Sequence, residues 1–491
     1  MGCGLLILVA VGKSNLYLSA QPEITFFKIA YKRHTNYSIE PTPQYFKTTP
    51  DFGRRCTINV GKNADLLGSC YLLVQLPQIQ MENYASNANS IKSLKWVNKI
   101  GLVLINFVEI EIGGNIVDRH YNDWLNIWYE LTVGIGLRKS YNKMIGQVPE
   151  LTEYSQTKDS YTLYIPFNFW FCLDTGLALP LIALSHNNVK FHVEFNDISE
   201  CYKISPSHYI NVNENYCIFK SGELITQTIG NNKIIGEFVY WDPINQLVYY
   251  NPVKSTFLVP SKNNDPNYVL IGNISQYKMN IKPNTVVTED IGYFNFNTPS
   301  LISSYMIVNY IYLDNFERYS FYNKPHNYII TVVQTLPEQT ANSINQIYKL
   351  PFYNPVKLLV WRAVLQSNNE NNNTFIYSSM DNQQLINKSI IQINSNALID
   401  SNSFDFYTTI QKYQNDFVDS QLGINMWSFA LEPKAIQPSG TLNFSKLDDA
   451  FLQLTLNPIV TYQNPVVLQA HALKYNLFKI ENGIGALSFN I

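Results

Sequence analysis

Two glutamates, Glu109 and Glu111, stand two positions apart in an alternating segment, which places both carboxyl groups on one face of a β-strand. Paired carboxylates are what glycoside hydrolysis needs. The same arrangement is common on solvated sheet faces, where carboxylates form salt bridges. The sequence around them carries no further sign of catalysis, so we expect a wet sheet face or an intersubunit salt bridge.

Two histidines, His186 and His192, suggest a metal site. His192 shares its strand face with Lys190 and Glu194, whereas His186 lies in the preceding turn, so the two rings are expected to point apart. No cysteine nearby completes a zinc ligand set. We therefore expect surface histidines and no metal.

Ser439 lies between Pro438 and Gly440, in a segment that reads SFALEPKAIQPSGTLNFSKL over residues 428–447. A nucleophilic serine of the G-x-S-x-G type needs a strand, a sharp elbow and a helix, and that context is absent here. Proline presets its φ and glycine accepts positive φ, so the pattern predicts a tight turn, with a second strand beginning at Thr441. The sequence therefore predicts no catalytic, cofactor-binding or metal-binding residue.

Two tryptophans, Trp124 and Trp128, could form an aromatic platform for a glycan. Together with Ile127 and Leu131 they fall at helical spacing within residues 123–131. Aromatic residues at this spacing more often cover a core, and that is the interpretation we favour.

The composition limits the possible functions. The chain has 491 residues, of which 46% are hydrophobic and 15% charged, and its formal net charge is −2. This length exceeds one ordinary core and predicts two or more domains. A nearly neutral chain has no general attraction for nucleic acid, so direct nucleic-acid binding is not expected. Six scattered cysteines without a C-x-x-C pair are typical of reduced thiols in a cytosolic protein.

Alternation of apolar and polar residues predicts strands along most of the chain. It is clearest at residues 189–195 and at residues 106–112, which the Gly-Gly-Asn sequence at 113–115 follows as a hairpin turn. Similar segments are residues 161–171, 306–313, 328–333, 358–364 and 451–456. Many short strands and few helices favour sandwiches or barrels.

The chain divides most naturally near residues 315–325, a polar segment between two predicted strands. Residues 197–303 are polar and weakly patterned, and we interpret them as an insertion. Within it, residues 234–241 and 246–251 are predicted to pair, with a turn at Asp242 and Pro243. An apolar stretch at residues 5–11 is too short to span a membrane and suggests an adhesive arm.

Several segments resemble the major capsid proteins of nucleocytoplasmic large DNA viruses. The QPSGT sequence at residues 437–441, with Asn443 and Ser445 after it, is similar to a segment of that family. Further similar segments, in the family's order, are residues 21–38, 96–131, 165–195, 308–321, 351–361 and 473–490. The chain departs from the family pattern at Asn122 and Lys446, where glycine and arginine are expected.

The resemblance implies an all-β fold of two tandem eight-stranded jelly rolls, a double jelly roll with short helices and long loop insertions. It implies an N-terminal arm at residues 1–24, a first jelly roll at 25–316 with the insertion at about 197–303, and a second jelly roll at 326–491. Residues alone would predict only two β-sandwich domains.

The function implied by the resemblance is that of a major capsid protein without enzymatic activity or cofactor. Three subunits would form a pseudo-hexagonal capsomer of an icosahedral shell, located in the virion and assembled in the host cytoplasm. The expected partners are other copies of the chain, neighbouring capsomers, and minor capsid, penton and cement proteins. The arm would reach the inner viral membrane.

Two alternatives stay open at the level of sequence. The first is a minor capsomer or glycan-binding virion surface protein of the same fold. The second is a carbohydrate-active β-sandwich enzyme that uses Glu109 and Glu111.

Overall fold

Strands dominate the computed structural model of this chain. It describes residues 33–80, 93–230, 232–262, 265–289, 299–379, 382–398, 405–419, 421–462 and 464–489, with a few single positions before residue 33. The apolar stretch at residues 5–11 lies almost entirely outside the described residues.

The first part of the chain contributes ten strands before the insertion. These are β1 (Tyr37–Tyr45), β2 (Arg55–Asn59), β3 (Leu66–Leu76), β4 (Ile79–Gln80), β5 (Ser93–Trp96), β6 (Ile105–Ile112), β7 (Asn115–Tyr121), β8 (Thr157–Lys158), β9 (Tyr161–Pro166) and β10 (Val189–Phe195). The turn between β6 and β7 lies at Gly113 and Gly114, both with positive φ, as the hairpin prediction requires.

The insertion adds its own strands, and one more strand closes the first lobe. They are β11 (Tyr202–Ser205), β12 (His208–Asn211), β13 (Leu224–Ile229), β14 (Asn232–Asp242), β15 (Leu247–Lys254), β16 (Val269–Gly272), β17 (Lys278–Asn280), β18 (Thr288–Glu289) and β19 (Ser303–Leu313). The predicted hairpin within the insertion is confirmed, because β14 and β15 pair with Trp241 opposite Val248.

The second part of the chain contributes the remaining strands. They are β20 (His326–Thr335), β21 (Gln339–Ala341), β22 (Asn345–Lys349), β23 (Pro355–Leu365), β24 (Ile386–Ile393), β25 (Asn396–Ala397), β26 (Asn425–Ser428), β27 (Leu442–Asn443), β28 (Ala450–Leu456), β29 (Val466–Glu481) and β30 (Ile484–Leu487).

Two sandwiches with the same strand order result. In the first lobe, the sheet β1-β19-β3-β9 faces the sheet β2-β10-β6-β7. In the second lobe, β20-β29-β23-β26 faces β22-β28-β24-β25. In each lobe a long strand near the end of the lobe, β19 or β29, pairs between the first strand of that lobe and an inner strand, β3 or β23. This is the jelly-roll arrangement, and the predicted double jelly roll is confirmed.

Helices lie in the connections. They are α1 (Ile100–Val103), α2 (Asn122–Thr132), α3 (Ile135–Met144), α4 (Pro149–Thr152), α5 (Trp170–Leu173), α6 (Asn315–Asn323), α7 (Gln366–Glu370) and α8 (Gln411–Gln414). Short 3₁₀ turns are Thr175–Leu177, Ile198–Glu200, Pro266–Tyr268 and Phe444–Lys446, and Phe406–Ile410 is a π-helical segment that leads into α8. The helix predicted at residues 123–131 is therefore confirmed as α2.

The polar segment predicted near residues 315–325 contains the helix α6. The carboxylate of Asp314 accepts a bond from the backbone N–H of Glu317 (2.8 Å), which caps the first turn. Aspartate followed three residues later by glutamate resembles a capping box, and this signal was missed in the sequence.

Two strand predictions are wrong in extent. The strand at 161–171 ends at Pro166, and Trp170 begins α5. Proline has no N–H to continue the ladder, and Trp170 is buried in the core. The second strand from Thr441 is only the pair Leu442–Asn443, because the Asn443 side chain accepts a bond from the Ser445 N–H and closes a turn.

The insertion is more ordered than its polar composition suggested. Of its eight described strands, seven form one sheet in the order β17-β16-β13-β14-β15-β12-β18, and β11 pairs with β5 of the first lobe. Ile225, Phe238, Tyr250 and Leu270 belong to a buried cluster whose members all lie within the insertion. The insertion thus has a small core of its own.

Candidate functional site: the joint between the lobes and the exposed surfaces

The outer face of the first lobe carries the glutamate pair. Val108 and Ile110 of β6 point into the first core, so Glu109 and Glu111 share the opposite face. Glu109 is 0% exposed and forms salt bridges with Arg55 of β2 and Arg119 of β7. The prediction of a wet position is wrong for Glu109, because the two arginines cover its carboxylate.

Glu111 is held in a second cluster on the same face. Its carboxylate accepts bonds from Lys190 Nζ (2.6 Å) and His192 Nε2 (2.8 Å), and Thr57 bonds the other ring nitrogen of that histidine. The Lys190 hydrogen bond lowers the pKa of Glu111 below its ordinary value, against the effect of burial. A general acid needs the opposite shift, so this geometry is that of intramolecular salt bridges.

The two histidines considered as metal ligands lie in different settings. His192 binds Glu111 on the outer sheet face, whereas the backbone N–H of His186 donates to the carbonyl of Gly483 (2.9 Å). Within the described ranges, no group of three or more His, Cys, Asp or Glu side chains could hold a metal ion.

Helix α2 of the first lobe packs directly on the second lobe. Trp124, Ile127 and Leu131 form its apolar stripe and lie in one buried cluster with residues of β23, β26 and β29. Trp124 is 2% exposed and stacks on the half-buried Trp128, with ring centroids 5.5 Å apart. The interpretation of Trp124 as a core residue rather than part of a glycan platform is confirmed, and the core that it covers is the joint between the lobes.

A second stripe of α2 carries buried polar groups into the same joint. The carboxylate of Asp123 accepts bonds from Arg362 Nε (2.7 Å), His471 Nε2 (3.2 Å) and the Tyr377 hydroxyl (2.6 Å). One helical turn on, Asn126 donates to the same Tyr377 hydroxyl (2.9 Å). An aspartate of the first lobe therefore binds three side chains of the second.

The partners of Asp123 are themselves satisfied. The guanidinium of Arg362 also donates to Glu338 (2.9 Å), Gln469 (2.8 Å) and the carbonyl of Val467 (3.3 Å). His471 is 0% exposed, and its Nδ1 lies 3.0 Å from the Thr335 hydroxyl. A buried charge is tolerable only in such a complete network.

The electrostatics of the joint favour one charge state. Burial alone would raise the pKa of Asp123, but Arg362 and His471 outweigh it and hold the pKa well below its ordinary value. Burial lowers the pKa of His471 by more than the bond to Asp123 raises it. The joint therefore holds an ionised aspartate, an arginine cation and a neutral histidine that donates from Nε2.

The sequence contained a signal for this joint that was missed. Every residue of β23 from Val356 to Leu365 is buried, as are the first eleven residues of β29. Leu359 and Trp361 of β23 point into the second core, whereas Leu358 and Val360 point into the joint. A strand buried on both faces reads as a continuous apolar run rather than an alternation, so residues 358–364 were wrongly grouped with one-sided strands.

The QPSGT turn is built around its glycine. Gly440 has φ 144°, and a Cβ there would lie 2.7 Å from the carbonyl oxygen of Phe429. The Ser439 hydroxyl accepts a bond from the Glu432 N–H (2.9 Å). Ser439 thus closes a loop, and within the described part of the chain its hydroxyl bonds no acidic or basic side chain that would activate it.

Large apolar side chains are exposed on several connections. On α6, Phe316, Tyr319 and Tyr322 are 85%, 72% and 61% exposed, and that helix has no buried residue. On α3, Ile135 is 82% exposed. Exposed aromatic clusters of this kind are typical of protein contact surfaces. None of the described helices is long and apolar enough to cross a membrane.

The fold and the joint together define the class of protein. It is a double jelly roll whose two lobes are held by a buried joint and whose connections expose contact surfaces. The profile described as Major capsid protein N-terminus matches residues 25–241, and that described as Large eukaryotic DNA virus major capsid protein matches residues 317–486. This chain belongs to the major capsid protein family of large eukaryotic DNA viruses, and its role is that of a structural capsid protein.

The chain matches individual relatives over its whole length. The chain is 31% identical to Probable capsid protein 4 of Acanthamoeba polyphaga mimivirus, over 100% of this chain and 99% of the relative. It is 29% identical to the Major capsid protein of Pyramimonas orientalis virus, over 100% of both chains.

Solved structures share the fold at lower identity. The PBCV-1 VP54 crystal structure matches with a TM-score of 0.64 at 21% identity, covering 95% of this chain and 100% of that chain. The Faustovirus major capsid protein matches with a TM-score of 0.66 at 12% identity, covering 96% and 94%. These structures support the double jelly roll.

Proposed function

We propose that this chain is a major capsid protein that forms homotrimeric, pseudo-hexagonal capsomers of an icosahedral shell. The observation that carries the proposal is the repetition of one strand order in two lobes of a single chain. Three such subunits present six similar sandwiches, which approximates six-fold packing.

The joint supports this arrangement physically. Because the lobes share the apolar cluster around Trp124 and the network around Asp123, they cannot rotate freely against each other. A fixed angle between the lobes is what a regular six-lobed capsomer requires.

The division of the chain follows the same proposal. We assign residues 1–24 to an N-terminal arm, residues 25–316 to the first jelly roll with an insertion at 197–303, and residues 326–491 to the second. The arm would contact the inner viral membrane or minor capsid proteins, and penton and cement proteins would contact the capsomer surface. Assembly would occur in the host cytoplasm.

The proposed protein has no enzymatic activity and needs no cofactor. The carboxylates of Glu109 and Glu111 are each bound by two cationic or histidine side chains, and neither is left available for a substrate. A panel of glycan substrates should therefore give no turnover, and turnover that Glu109→Gln abolishes would support the enzyme alternative.

Oligomeric state tests the capsomer directly. Obligate interfaces bury about 2,000 Å² or more, so the trimer should persist at micromolar concentration. Light scattering on purified protein is expected to give three times the chain mass. A monomer with intact β-rich circular dichroism would contradict the proposal.

The aromatic face of α6 gives a sharper test, with a second copy of the chain as its proposed occupant. Phe316→Asp combined with Tyr319→Asp should weaken trimerisation without unfolding the subunit, because both side chains are exposed in the single chain. The matched control is Ile244→Asp, which alters a side chain that is 85% exposed in the turn of the β14–β15 hairpin. If the α6 variant still forms trimers, α6 is not part of the trimer interface. The capsomer proposal itself would then rest on the light-scattering test of the unaltered chain.

A further inference from the structure

Two lysines stand directly opposite each other where the insertion leaves the first lobe. In the ladder between β5 and β11, Lys95 pairs with Lys203. Directly opposed residues have Cβ atoms about 5 Å apart and project to the same face of the ladder. Their strand neighbours Leu94 and Trp96 point into the first core, so both lysines point away from it.

Like charges in this position destabilise a ladder unless something compensates them. Lys95 Nζ lies 4.3 Å from the ring centroid of Tyr154, and Lys203 Nζ donates to the side-chain oxygen of Asn373. Among the described residues, neither lysine has a carboxylate within salt-bridge distance. Asn373 accepts one hydrogen bond from Lys203, and the Tyr154 ring attracts the ammonium group of Lys95, but neither partner carries a formal negative charge.

The lysines open onto a cleft formed by three parts of the molecule. The first lobe supplies Lys95 and Tyr154, the insertion supplies Glu237 of β14, and the second lobe supplies Asn371 and Asn373. The cleft has a volume of about 440 Å³, which leaves room for a small hydrated anion. Its rim is polar, with amide side chains that can donate to oxygen.

The titration behaviour agrees with this geometry. Burial, together with the positive charge of Lys95, lowers the pKa of Lys203 to about 8. Burial also lowers the pKa of Lys95. Glu237 acts in the opposite direction on both lysines, and an anion between them would do the same more strongly.

We propose that this cleft binds an oxyanion of the phosphate or sulfate class between Lys95 and Lys203. The site lies outside the capsid role assigned above and does not depend on trimerisation. A bound anion would connect the first lobe, the insertion and the second lobe through lysine and asparagine donors, and would therefore stabilise the subunit against unfolding.

Thermal unfolding in the presence of inorganic phosphate or sulfate, against sodium chloride at equal ionic strength, tests the site. Each oxyanion should raise the melting midpoint in a saturable manner, and Lys203→Met should weaken the apparent affinity about tenfold, since it removes a charged hydrogen-bond donor. Lys203→Arg should retain most of the affinity. Lys349→Met, at an exposed lysine of β22, is the matched control and should bind as the unaltered chain does.

Glu237→Gln provides a test in the opposite direction. Measured at about pH 6.5, where both lysines stay protonated even without Glu237, removing this carboxylate should tighten phosphate binding about threefold, because one repulsive charge is lost. Calorimetry at pH 8 in two buffers of different ionisation enthalpy should also show proton uptake on binding, since the anion raises the pKa of Lys203.

Three results would overturn the site. These are a midpoint shift no larger than that of chloride, a shift unchanged by both Lys95→Met and Lys203→Met, or weaker binding in Glu237→Gln. If Lys203→Met fails to fold, Lys95→Met and Glu237→Gln carry the test. Comparing phosphate with sulfate then distinguishes which oxyanion the cleft prefers.

Discussion

Two ion clusters, each centred on one acidic side chain, differ in what surrounds them. At the joint, Asp123 binds Arg362 and His471, whose side chains are 5% and 0% exposed. On the outer face of the first lobe, Glu109 is fully buried, but its partners Arg55 and Arg119 are 50% and 36% exposed. Both carboxylates are buried, but the partners of Glu109 are partly exposed to solvent and those of Asp123 are not.

The difference concerns what happens when the carboxylate is removed. An arginine on the outer face can turn to water, so its desolvation cost is largely recovered. Arg362 has no such route and would stay buried without its main counter-charge. The joint should therefore depend strongly on Asp123, whereas the outer cluster should contribute modestly to stability.

The largest expected effect is that of Asp123→Ala. Removing one partner of a buried ion pair costs about 3–5 kcal/mol, and here it also leaves His471 and Tyr377 without an acceptor. Denaturant unfolding monitored by circular dichroism measures the loss. A loss of unfolding free energy below about 1 kcal/mol would show that water enters the joint and solvates Arg362. The joint and the outer cluster would then not differ in the way argued above.

Glu109→Gln should cost less, about 1 kcal/mol, because both arginines can rehydrate. The cost should shrink further in 1 M salt, where partly exposed charges are screened over a few ångströms. The same salt series should leave the cost of Asp123→Ala nearly unchanged. Equal salt sensitivity of the two variants would contradict the comparison.

Acidification should weaken the joint through His471. Its folded-state pKa is depressed, so below about pH 6.5 the unfolded chain binds a proton that the folded chain does not. Stability is therefore fully present above this pH and is lost as the pH falls towards the folded-state pKa, by up to about 1.4 kcal/mol per pH unit.

A His471→Gln variant should lose this component of the pH dependence, even if its stability at neutral pH is lower. His34→Gln, at an exposed position, is the control and should keep the dependence. An unchanged slope between pH 6.5 and 5 in His471→Gln would assign the effect to other groups.

The smallest effect is expected at an exposed ion pair of the second lobe. Lys434 Nζ lies 2.7 Å from Asp416, whose side chain is 98% exposed. Lys434→Met should leave the melting midpoint unchanged within error, since such pairs gain little over hydration. A clear loss would mean that the contact of Lys434 with the ring of Phe417 matters more than the charge.

The sequence by itself determined much of the fold. Local alternation was enough to identify β10 at its observed bounds, the β6–β7 hairpin and the hairpin of the insertion, because each depends on side-chain period and turn chemistry close in the chain. The helical spacing of Trp124 and Leu131 likewise identified α2. Resemblance of whole segments, rather than periodicity, supplied the double jelly roll and the capsid role.

Only the tertiary structure decided which charges meet. Asp123 and His471 are far apart in sequence, and no local pattern indicates that they bind each other. Glu109 looked solvated because its covering arginines come from β2 and β7, and Lys95 and Lys203 become neighbours only through the β5–β11 ladder. Local periodicity determines which face a side chain occupies, whereas its partner and its dielectric environment depend on which distant strand packs against that face.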